Sequence, residues 1–273
     1  MPDLALPAFI AAHPSSTLVE IAEARGSTPR EQGAFMLVAE NAIWGTIGGG
    51  QFEFMAIDNA RTMLKGGGQP CMDIPLGPEI GQCCGGRTRL LFRPITAALA
   101  AELADRLDRD ARTNPGVFLF GAGHVGLALA RALAPLPLSV TVVETRSETL
   151  EGLPPEVTGR YVAMPESLVA DIPAGGAAVI LTHDHALDFL IARQALARTD
   201  LAYVGMIGSA TKRATFASWA RREGMAAEMA ERLVLPIGGS AVKDKRPEVI
   251  AAMVAAELLT VLSSATAQRL RGG

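Results

Sequence analysis

The pattern of apolar and polar positions changes near the middle of the chain. In the first half, one helical stretch at 51–64 carries Phe54, Ile57, Ala60 and Leu64 on its predicted apolar face. Short apolar stretches that predict strands surround this helix at 17–24, 34–38, 43–47 and 88–92. The second half alternates predicted strands at 117–120, 140–143, 161–164, 177–182, 202–208 and 233–235 with helices at 127–133, 186–198 and 209–222. Such alternation predicts a parallel sheet with helices on both faces.

A segment with leucines at regular intervals separates the two halves. Leu99, Leu103 and Leu107 recur at four-residue spacing, which predicts an amphipathic helix. We therefore predict an α/β protein with three parts. These are a smaller N-terminal α+β domain (residues 1–95), a linker helix (96–116) and a C-terminal Rossmann-like domain with a doubly wound parallel sheet (117–273).

Composition narrows the class of protein. Of 273 residues 49% are hydrophobic and the net charge is −3, which allows a sizeable core and argues against a nucleic-acid partner. The N-terminus lacks the basic flank of a signal peptide, and the apolar stretch 249–262 holds Glu257 and is too short to span a bilayer. Three cysteines, two of them adjacent, form no disulfide framework. We expect a cytoplasmic protein without a membrane partner.

The first strand of the second half runs into a glycine fingerprint. Gly121 permits a tight turn, Gly123 lets the backbone approach a pyrophosphate, and Gly126 lets the next helix pack on the strand. His124 lies in the same loop, and Glu144 ends the following strand, where an acid meets a ribose hydroxyl in dinucleotide sites. This order predicts a nucleotide-type fold, with NAD(P) as a candidate ligand.

A glycine triplet in the first half is a second candidate site. Gly48, Gly49 and Gly50 precede a helix whose first turn holds Gln51 and Glu53. Consecutive glycines at a helix start present backbone amides to an anion. The alternative is a crowded turn under a packed neighbour.

Two adjacent cysteines form a third candidate. Gln82, Cys83 and Cys84 lie between glycines, which leaves the thiols reachable. A soft sulfur donor suits molybdenum, and a closed zinc site would require more ligands nearby. Inert, buried cysteines are the alternative.

Two loops of the second half carry further polar groups. Ser209 begins a helix that holds Lys212 and Arg213 in its first turns, which predicts an anion site or else a solvated basic face. The stretch 182–185 reads Thr-His-Asp-His at the end of a strand. A hydrogen-bonded structural role is favoured there over a metal site, because no further ligand is evident.

Several of these stretches resemble the XdhC/CoxI family, the accessory proteins that mature xanthine dehydrogenase and related molybdenum hydroxylases. The matching motifs lie in family order at 25–30, 45–53, 81–86, 120–126, 182–186 and 203–213. The resemblance implies a chaperone without catalytic residues, which binds the molybdenum cofactor (molybdopterin), holds it during sulfuration and delivers it to apo xanthine dehydrogenase. It implies that Cys83 or Cys84 contacts the metal, with the other candidate residues around the cofactor. Implied partners are the cofactor-binding subunit of xanthine dehydrogenase, a cysteine desulfurase and a second copy in a homodimer.

Two alternatives stay open. An NAD-dependent oxidoreductase would use the fingerprint at 121–126 with Glu144, and His183 or Tyr203 would transfer protons. A pure interaction scaffold would use its glycine loops for tight packing alone.

Overall fold

The computed structural model describes residues 5–78 and 85–272, with side chains up to residue 264. The chain divides into two compact units, Met1–Arg109 and Asp110–Gly273. The first contains α1 (Leu6–Ala12), β1 (Thr17–Arg25), β2 (Phe35–Val38), β3 (Ile43–Gly45), α2 (Gly50–Leu64), β4 (Cys71–Pro75), β5 (Arg87–Pro94) and most of α3 (Ala97–Thr113). The second contains β6 (Gly116–Phe120), α4 (His124–Leu133), β7 (Ser139–Glu144), β8 (Thr158–Tyr161), β9 (Ala177–Ile180), α5 (His185–Ala197), β10 (Tyr203–Met206), α6 (Ala210–Arg222), α7 (Ala227–Glu231) and α8 (Pro247–Gly272). Short 3₁₀ segments lie at Ser147–Leu150 and Pro165–Asp171.

The first unit is an antiparallel sheet with helices on both faces. Its strands run in the order β3-β2-β1-β5-β4, and α2 covers the face that includes Val19, Met36 and Leu90. The predicted apolar face of α2 is wrong at Phe54, which is 62% exposed. The helix instead buries Phe52, Ala56, Ile57 and Ala60, because the i, i+4, i+8 positions counted from Phe52 face the sheet.

The predicted linker helix corresponds to α3, which packs on the other face of this sheet. Leu99 and Leu103 are buried there in a cluster with α1, as their four-residue spacing predicts. Farther along, Arg106 donates to a Glu20 carboxylate oxygen at 2.9 Å and lies over the Phe35 ring, 5.5 Å from its centroid. The helix is therefore held to the first unit by apolar, ionic and cation–π contacts.

The second unit is a parallel sheet in the order β8-β7-β6-β9-β10. Numbered along the chain this is 3-2-1-4-5, the first five strands of the Rossmann order 3-2-1-4-5-6. Helices α4 and α8 pack on one face, and α5 and α6 pack on the other. The predicted fold class, a Rossmann-like sheet beside a smaller α+β unit, is confirmed.

Three predicted elements differ from the structure. The third strand of this sheet is Thr158–Tyr161 rather than 161–164, because an exposed edge strand pairs through its backbone and carries no apolar signature. The predicted strand at 233–235 is a single bridge from Val234 to Gly205. The apolar stretch 249–262, which is by itself too short to span a bilayer, is part of the longer helix α8.

By length and composition, Pro247–Ser264 is a candidate membrane span among the described residues. In the fold, Ala251, Val254, Leu258 and Leu262 pack into the core. Glu257 accepts hydrogen bonds from the Tyr203 hydroxyl and from the Gly238 amide. One side of this helix is therefore part of the Rossmann core.

Candidate functional site

Parts of three family motifs meet at one end of the antiparallel sheet. They are the turn after β1, the glycine triplet and the residues that close the cysteine loop. The turn after β1 pairs with the start of β5, since Ser27 bridges Gly85. A Cβ added to Gly86 would lie 2.1 Å from the Ser27 carbonyl oxygen. On its other side, the same turn abuts the glycine triplet, because a Cβ on Gly48 would lie 2.4 Å from the Pro29 Cβ. These segments, far apart in sequence, therefore form one contiguous surface.

The two ends of the cysteine loop lie at this surface. Gln82, Cys83 and Cys84 lie outside the described residues, but the chain on both sides of them is placed. Leu76 and the two glycines hold the loop base: the Gly85 amide donates to the Leu76 carbonyl at 2.9 Å, and the Leu76 amide donates to the Gly86 carbonyl at 2.8 Å. The loop thus starts and ends beside the turn after β1.

Cys71 is distinct from that loop. It lies on β4, where its Sγ accepts a hydrogen bond from Arg89 Nε at 3.3 Å. Its strand position makes it a natural control for experiments on the loop cysteines.

A carboxylate of the same chain accepts from one amide of the glycine triplet and from the amide just before the triplet. Glu53 Oε2 accepts from Ile47 N at 2.9 Å, from Gly49 N at 3.1 Å and from the Thr46 hydroxyl at 2.5 Å. All three glycines have positive φ, 130°, 77° and 70° for Gly48, Gly49 and Gly50, which is a conformation that other residues rarely adopt. Within the chain, the Gly49 amide therefore binds the Glu53 carboxylate, and binding of an external anion by the triplet stays a prediction. Gln51 is exposed on the first turn of α2.

Two residues at this surface were absent from the predicted cofactor set. Thr46 links the loop to Glu53 and also accepts from the Gly48 amide at 3.0 Å. The exposed Arg30 places its Cγ 3.5 Å from the position of a Gly48 Cβ, and no salt bridge engages it within the described part of the chain. Arg30 belongs to the motif at 25–30, so the sequence contained the signal, but not its proximity to the triplet.

The second unit has a crevice of about 150 Å³ at the carboxyl ends of β6, β7 and β9. Its lining includes Gly121, Glu144, Thr145, Arg146, Thr182 and His183. Strand order reverses between β6 and β9, and ligands of open α/β sheets bind at such switch points.

Packing explains each of the fingerprint glycines. At Gly121, φ is 118° and a Cβ would lie 2.7 Å from the Leu181 carbonyl oxygen, while a Cβ on Gly126 would lie 2.1 Å from the Gly121 carbonyl oxygen. At Gly123 the obstacle is a side chain, since a Cβ there would lie 2.8 Å from His183 Nε2. The His183 imidazole thus lies over the loop, beside the point where the fingerprint brings a pyrophosphate close. His124 is exposed and begins α4.

Glu144 connects the end of β7 to the glycine loop. Its Oε2 accepts from Ala122 N at 2.9 Å, and its Oε1 accepts from Thr145 N at 2.8 Å and from the Thr145 hydroxyl at 3.1 Å. Burial alone raises the pKa of Glu144, but these hydrogen bonds and the nearby Arg146 outweigh it, and the net pKa lies below the ordinary value of 4.5. The side chain, 8% exposed, is an ionised carboxylate at neutral pH.

The predicted anion site on α6 has its cations engaged by protein groups. Ser209 caps the helix as expected, accepting from the Lys212 amide at 3.3 Å. Lys212 Nζ forms an ion pair with Asp188 and donates to the Ile207 carbonyl at 3.0 Å. Arg213 Nε donates to the Leu235 carbonyl at 2.5 Å. The solvated basic face considered from the sequence does not describe Lys212, whose side chain is 10% exposed.

The stretch 182–185 also has structural partners. Asp184 caps α5 by accepting from the Ala186 and Leu187 amides. The Thr182 hydroxyl donates to Asp188 at 2.6 Å. In residues 5–78 and 85–272, no group of three or more His, Cys, Asp or Glu side chains is placed to hold a metal ion.

The fold and these two sites define a class: an antiparallel α+β unit with convergent glycine loops, followed by a Rossmann-type unit with a crevice at its switch point. Comparison with known families makes this more specific. Residues 117–258 match the XdhC Rossmann domain, and residues 10–74 match the XdhC and CoxI family. The chain therefore belongs to the XdhC and CoxI family, as its motifs indicated.

Two individual proteins are similar over most of the chain. The uncharacterized protein YqeB of Escherichia coli (strain K12) is 29% identical over 261 residues, which are 91% of this chain and 44% of YqeB. The chain thus spans less than half the length of that relative. A crystal structure from Bacillus halodurans, described as a xanthine dehydrogenase, superposes with a TM-score of 0.74 at 18% identity over 92% of each chain. That likeness supports the fold.

Proposed function

We propose that this protein takes part in the maturation of xanthine dehydrogenase by binding the molybdenum cofactor. In this proposal it holds the cofactor while the terminal oxo ligand is replaced by sulfur, and then delivers it to the apoenzyme. The observation that carries the proposal is the convergence of the turn 26–30, the glycine triplet and the base of the cysteine loop, in a chain of the XdhC and CoxI family. Membership of a family of accessory proteins supports binding and delivery rather than turnover.

The surface offers groups that suit the different parts of this cofactor. A phosphate is a good ligand for the exposed Arg30 guanidinium, which can bind it with two parallel hydrogen bonds. The thiolate of Cys83 or Cys84 is the kind of soft donor that molybdenum accepts. The loop that carries them begins and ends beside Ser27, next to the same turn.

Glu53 suits the pterin ring. Its Oε2 accepts from Thr46, Ile47 and Gly49, whereas its Oε1 accepts from no donor in residues 5–78 and 85–272. A pterin presents N–H donors along its pyrimidine edge, and a carboxylate oxygen is a strong acceptor for them. In this proposal one oxygen of Glu53 keeps the loop in shape and the other binds the cofactor.

The proposed partners follow from this role. Delivery requires contact with the cofactor-binding subunit of xanthine dehydrogenase, and sulfuration requires a sulfur donor such as a cysteine desulfurase. We also propose a homodimer in a cytoplasmic setting.

A binding and delivery experiment tests the proposal. The protein is incubated anaerobically with released cofactor and gel-filtered, and molybdenum and pterin are measured in the protein peak. We expect stoichiometric binding, and activation of an apo molybdenum hydroxylase by the loaded protein. A protein peak without molybdenum and pterin, under reducing conditions, would contradict the proposal.

Matched variants locate the site. Cys83→Ser and Cys84→Ser are made separately, and one of them should lose binding and delivery, because one of the two thiolates contacts the metal in this proposal. Cys71→Ser is the control on β4. Arg30→Gln should weaken binding and reduce its dependence on salt, whereas Arg112→Gln, an exposed arginine of α3, should not. Binding equal to the parent in Cys83→Ser, Cys84→Ser and Arg30→Gln would remove this surface as the site.

A further inference from the structure

The crevice of the second unit is formed by groups that the proposed chaperone function does not use. It lies where the order of parallel strands reverses, between the loops that follow β6 and β9. Its volume of about 150 Å³ is well below the ~300–1,000 Å³ of pockets that enclose a whole drug-sized ligand. It can therefore enclose one part of an extended ligand, such as a sugar ring, while the rest follows the open edge of the sheet.

One of the groups that line the crevice is a buried hydrogen-bond acceptor, Glu144. Glu144 ends β7, its carboxylate is fixed by the Ala122 and Thr145 donors, and it lines the crevice. Oε2 accepts one protein hydrogen bond and keeps a lone pair for a ligand donor. A buried, ionised carboxylate favours a hydroxyl donor and repels a second anion.

The arginine on this lining, Arg146, lies beside the Glu144 carboxylate. Arg146 Nε lies 3.7 Å from Glu144 Oε1, and half of the arginine side chain is exposed at the rim. This pairing lowers the positive charge that Arg146 can offer to another anion. The charges of Glu144 and Arg146 together therefore favour a neutral diol over a phosphorylated sugar in the crevice.

The glycine loop and His183 supply the neighbouring phosphate contact. The loop leads into α4, and the first N–H groups of a helix have no partner within the helix, which favours an anion there. His183 Nε2 lies against Gly123 on the side toward the crevice, where an imidazole N–H can donate to a phosphate oxygen.

We propose that this crevice binds the ribose and phosphate of an adenine nucleotide or dinucleotide whose ribose 2′-hydroxyl is free, as in NAD(H) and ADP-ribose. Glu144 accepts from the ribose hydroxyl, the loop from Gly121 to Gly126 and His183 face the phosphate, and a 2′-phosphate is rejected by the charge of Glu144. This site is independent of the cofactor surface in the first unit, and it is tested with the protein free of molybdenum.

Ligand pairs provide the first test, because they require no change in the protein. NADH, NADPH, ADP-ribose, AMP and 2′-deoxy-AMP are titrated calorimetrically, with NADH fluorescence as a second signal. NADPH and 2′-deoxy-AMP should bind about tenfold or more weakly than NADH and AMP respectively, the effect of losing a hydrogen bond to a charged acceptor. Absence of binding by NADH, ADP-ribose and AMP at millimolar concentration would overturn the proposal, as would NADPH binding as tightly as NADH.

A substitution then assigns the contact to Glu144. Glu144→Gln, checked for folding by circular dichroism, should weaken NADH about tenfold and reduce the preference over NADPH. Glu151→Gln changes an exposed acid of the following segment and should leave both affinities unchanged. If folded Glu144→Gln kept the parent's affinities for both nucleotides, the assignment of the ribose contact would be overturned.

Discussion

The substitution Lys212→Met distinguishes two roles for Lys212 at the N-terminal end of α6: binding an anionic ligand, or pairing with a buried acid. The sequence pattern favours an anion site, whereas the structure places Lys212 Nζ against Asp188 and the Ile207 carbonyl. Methionine keeps the apolar stem and removes the charge. If Lys212 binds an anionic ligand, the substitution should weaken ligand binding and leave the free energy of unfolding unchanged. If Lys212 instead neutralises Asp188, the substitution should lower the free energy of unfolding.

The expected loss is large because the remaining charge stays buried. Asp188 is 0% exposed, and removal of one member of a buried ion pair costs about 3–5 kcal/mol. Asp188 would keep the Thr182 amide at 3.2 Å and the Thr182 hydroxyl at 2.6 Å, so we expect about 3 kcal/mol. That is more than a hundredfold (about 10²) in the folding equilibrium, a substantial part of a typical stability of about 5–15 kcal/mol.

Urea unfolding followed by tryptophan fluorescence measures this change in the free energy of unfolding for the second unit alone. The protein has two tryptophans, Trp44 in the first unit and Trp219 in the second, where Trp219 packs against Phe189 and Phe216. In a Trp44→Phe background, the fluorescence of Trp219 reports on the second unit. Lys212→Met should lower the unfolding midpoint without changing the slope with denaturant.

Two further variants test the reasoning. Arg213→Met, on the same helix, loses one hydrogen bond to the Leu235 carbonyl and should cost about 1 kcal/mol. Asp188→Asn added to Lys212→Met removes the unpaired charge, keeps an acceptor for Thr182, and should recover at least part of the loss. If Lys212→Met cost no more than Arg213→Met, the buried-pair argument would be refuted and Lys212 would again be a candidate for anion binding.

Two other predictions concern the crevice of the second unit. Because the folded pKa of Glu144 lies below 4.5, this carboxylate stabilises the fold above its unfolded pKa, and the contribution is lost as pH falls through the folded value. Urea unfolding between pH 6 and pH 3 should therefore show a steeper loss for the parent than for Glu144→Gln, and parallel profiles would contradict this. Gly123 has φ of −71°, so alanine is allowed by its backbone, and the three nearest atoms to a new Cβ all belong to His183. Because His183 is exposed and can move aside, Gly123→Ala should cost at most about 1 kcal/mol in the parent and nothing in a His183→Ala background, and a larger, equal loss in both would show that the imidazole is not the obstacle.

Features set by short-range rules were predictable from the sequence. The strand, glycine fingerprint, helix and acid around Gly121 and Glu144 follow from chain geometry, and the structure forms them in the expected order. Ser209 caps its helix because the hydroxyl needs to reach an amide only three residues away. The leucine spacing of α3 placed Leu99 and Leu103 in a core, since helix periodicity decides which side chains share a face.

The prediction of elements from the sequence was wrong at α2, where two sets of helix positions are equally apolar, and at β8, where the strand carries no apolar pattern. The helix α2 offers Phe52 and Phe54 as starting points for an apolar stripe, and the entry of the chain from the glycine triplet turned Phe52 toward the sheet. The edge strand β8 is exposed along its length, so its backbone pairing with β7 left no mark in the hydrophobic pattern.

The sequence by itself determined the two fold classes, the family and the loops on which polar chemistry is concentrated. Only the tertiary structure decided which of those polar groups face a partner within the protein. Lys212 is paired with Asp188, 24 residues away, and the Gly49 amide donates to Glu53, while Arg30 lies against the glycine triplet with its side chain exposed. The physical reason is that a flexible charged side chain has many rotamers of similar energy, and the choice among them depends on neighbours that packing brings together from distant parts of the chain.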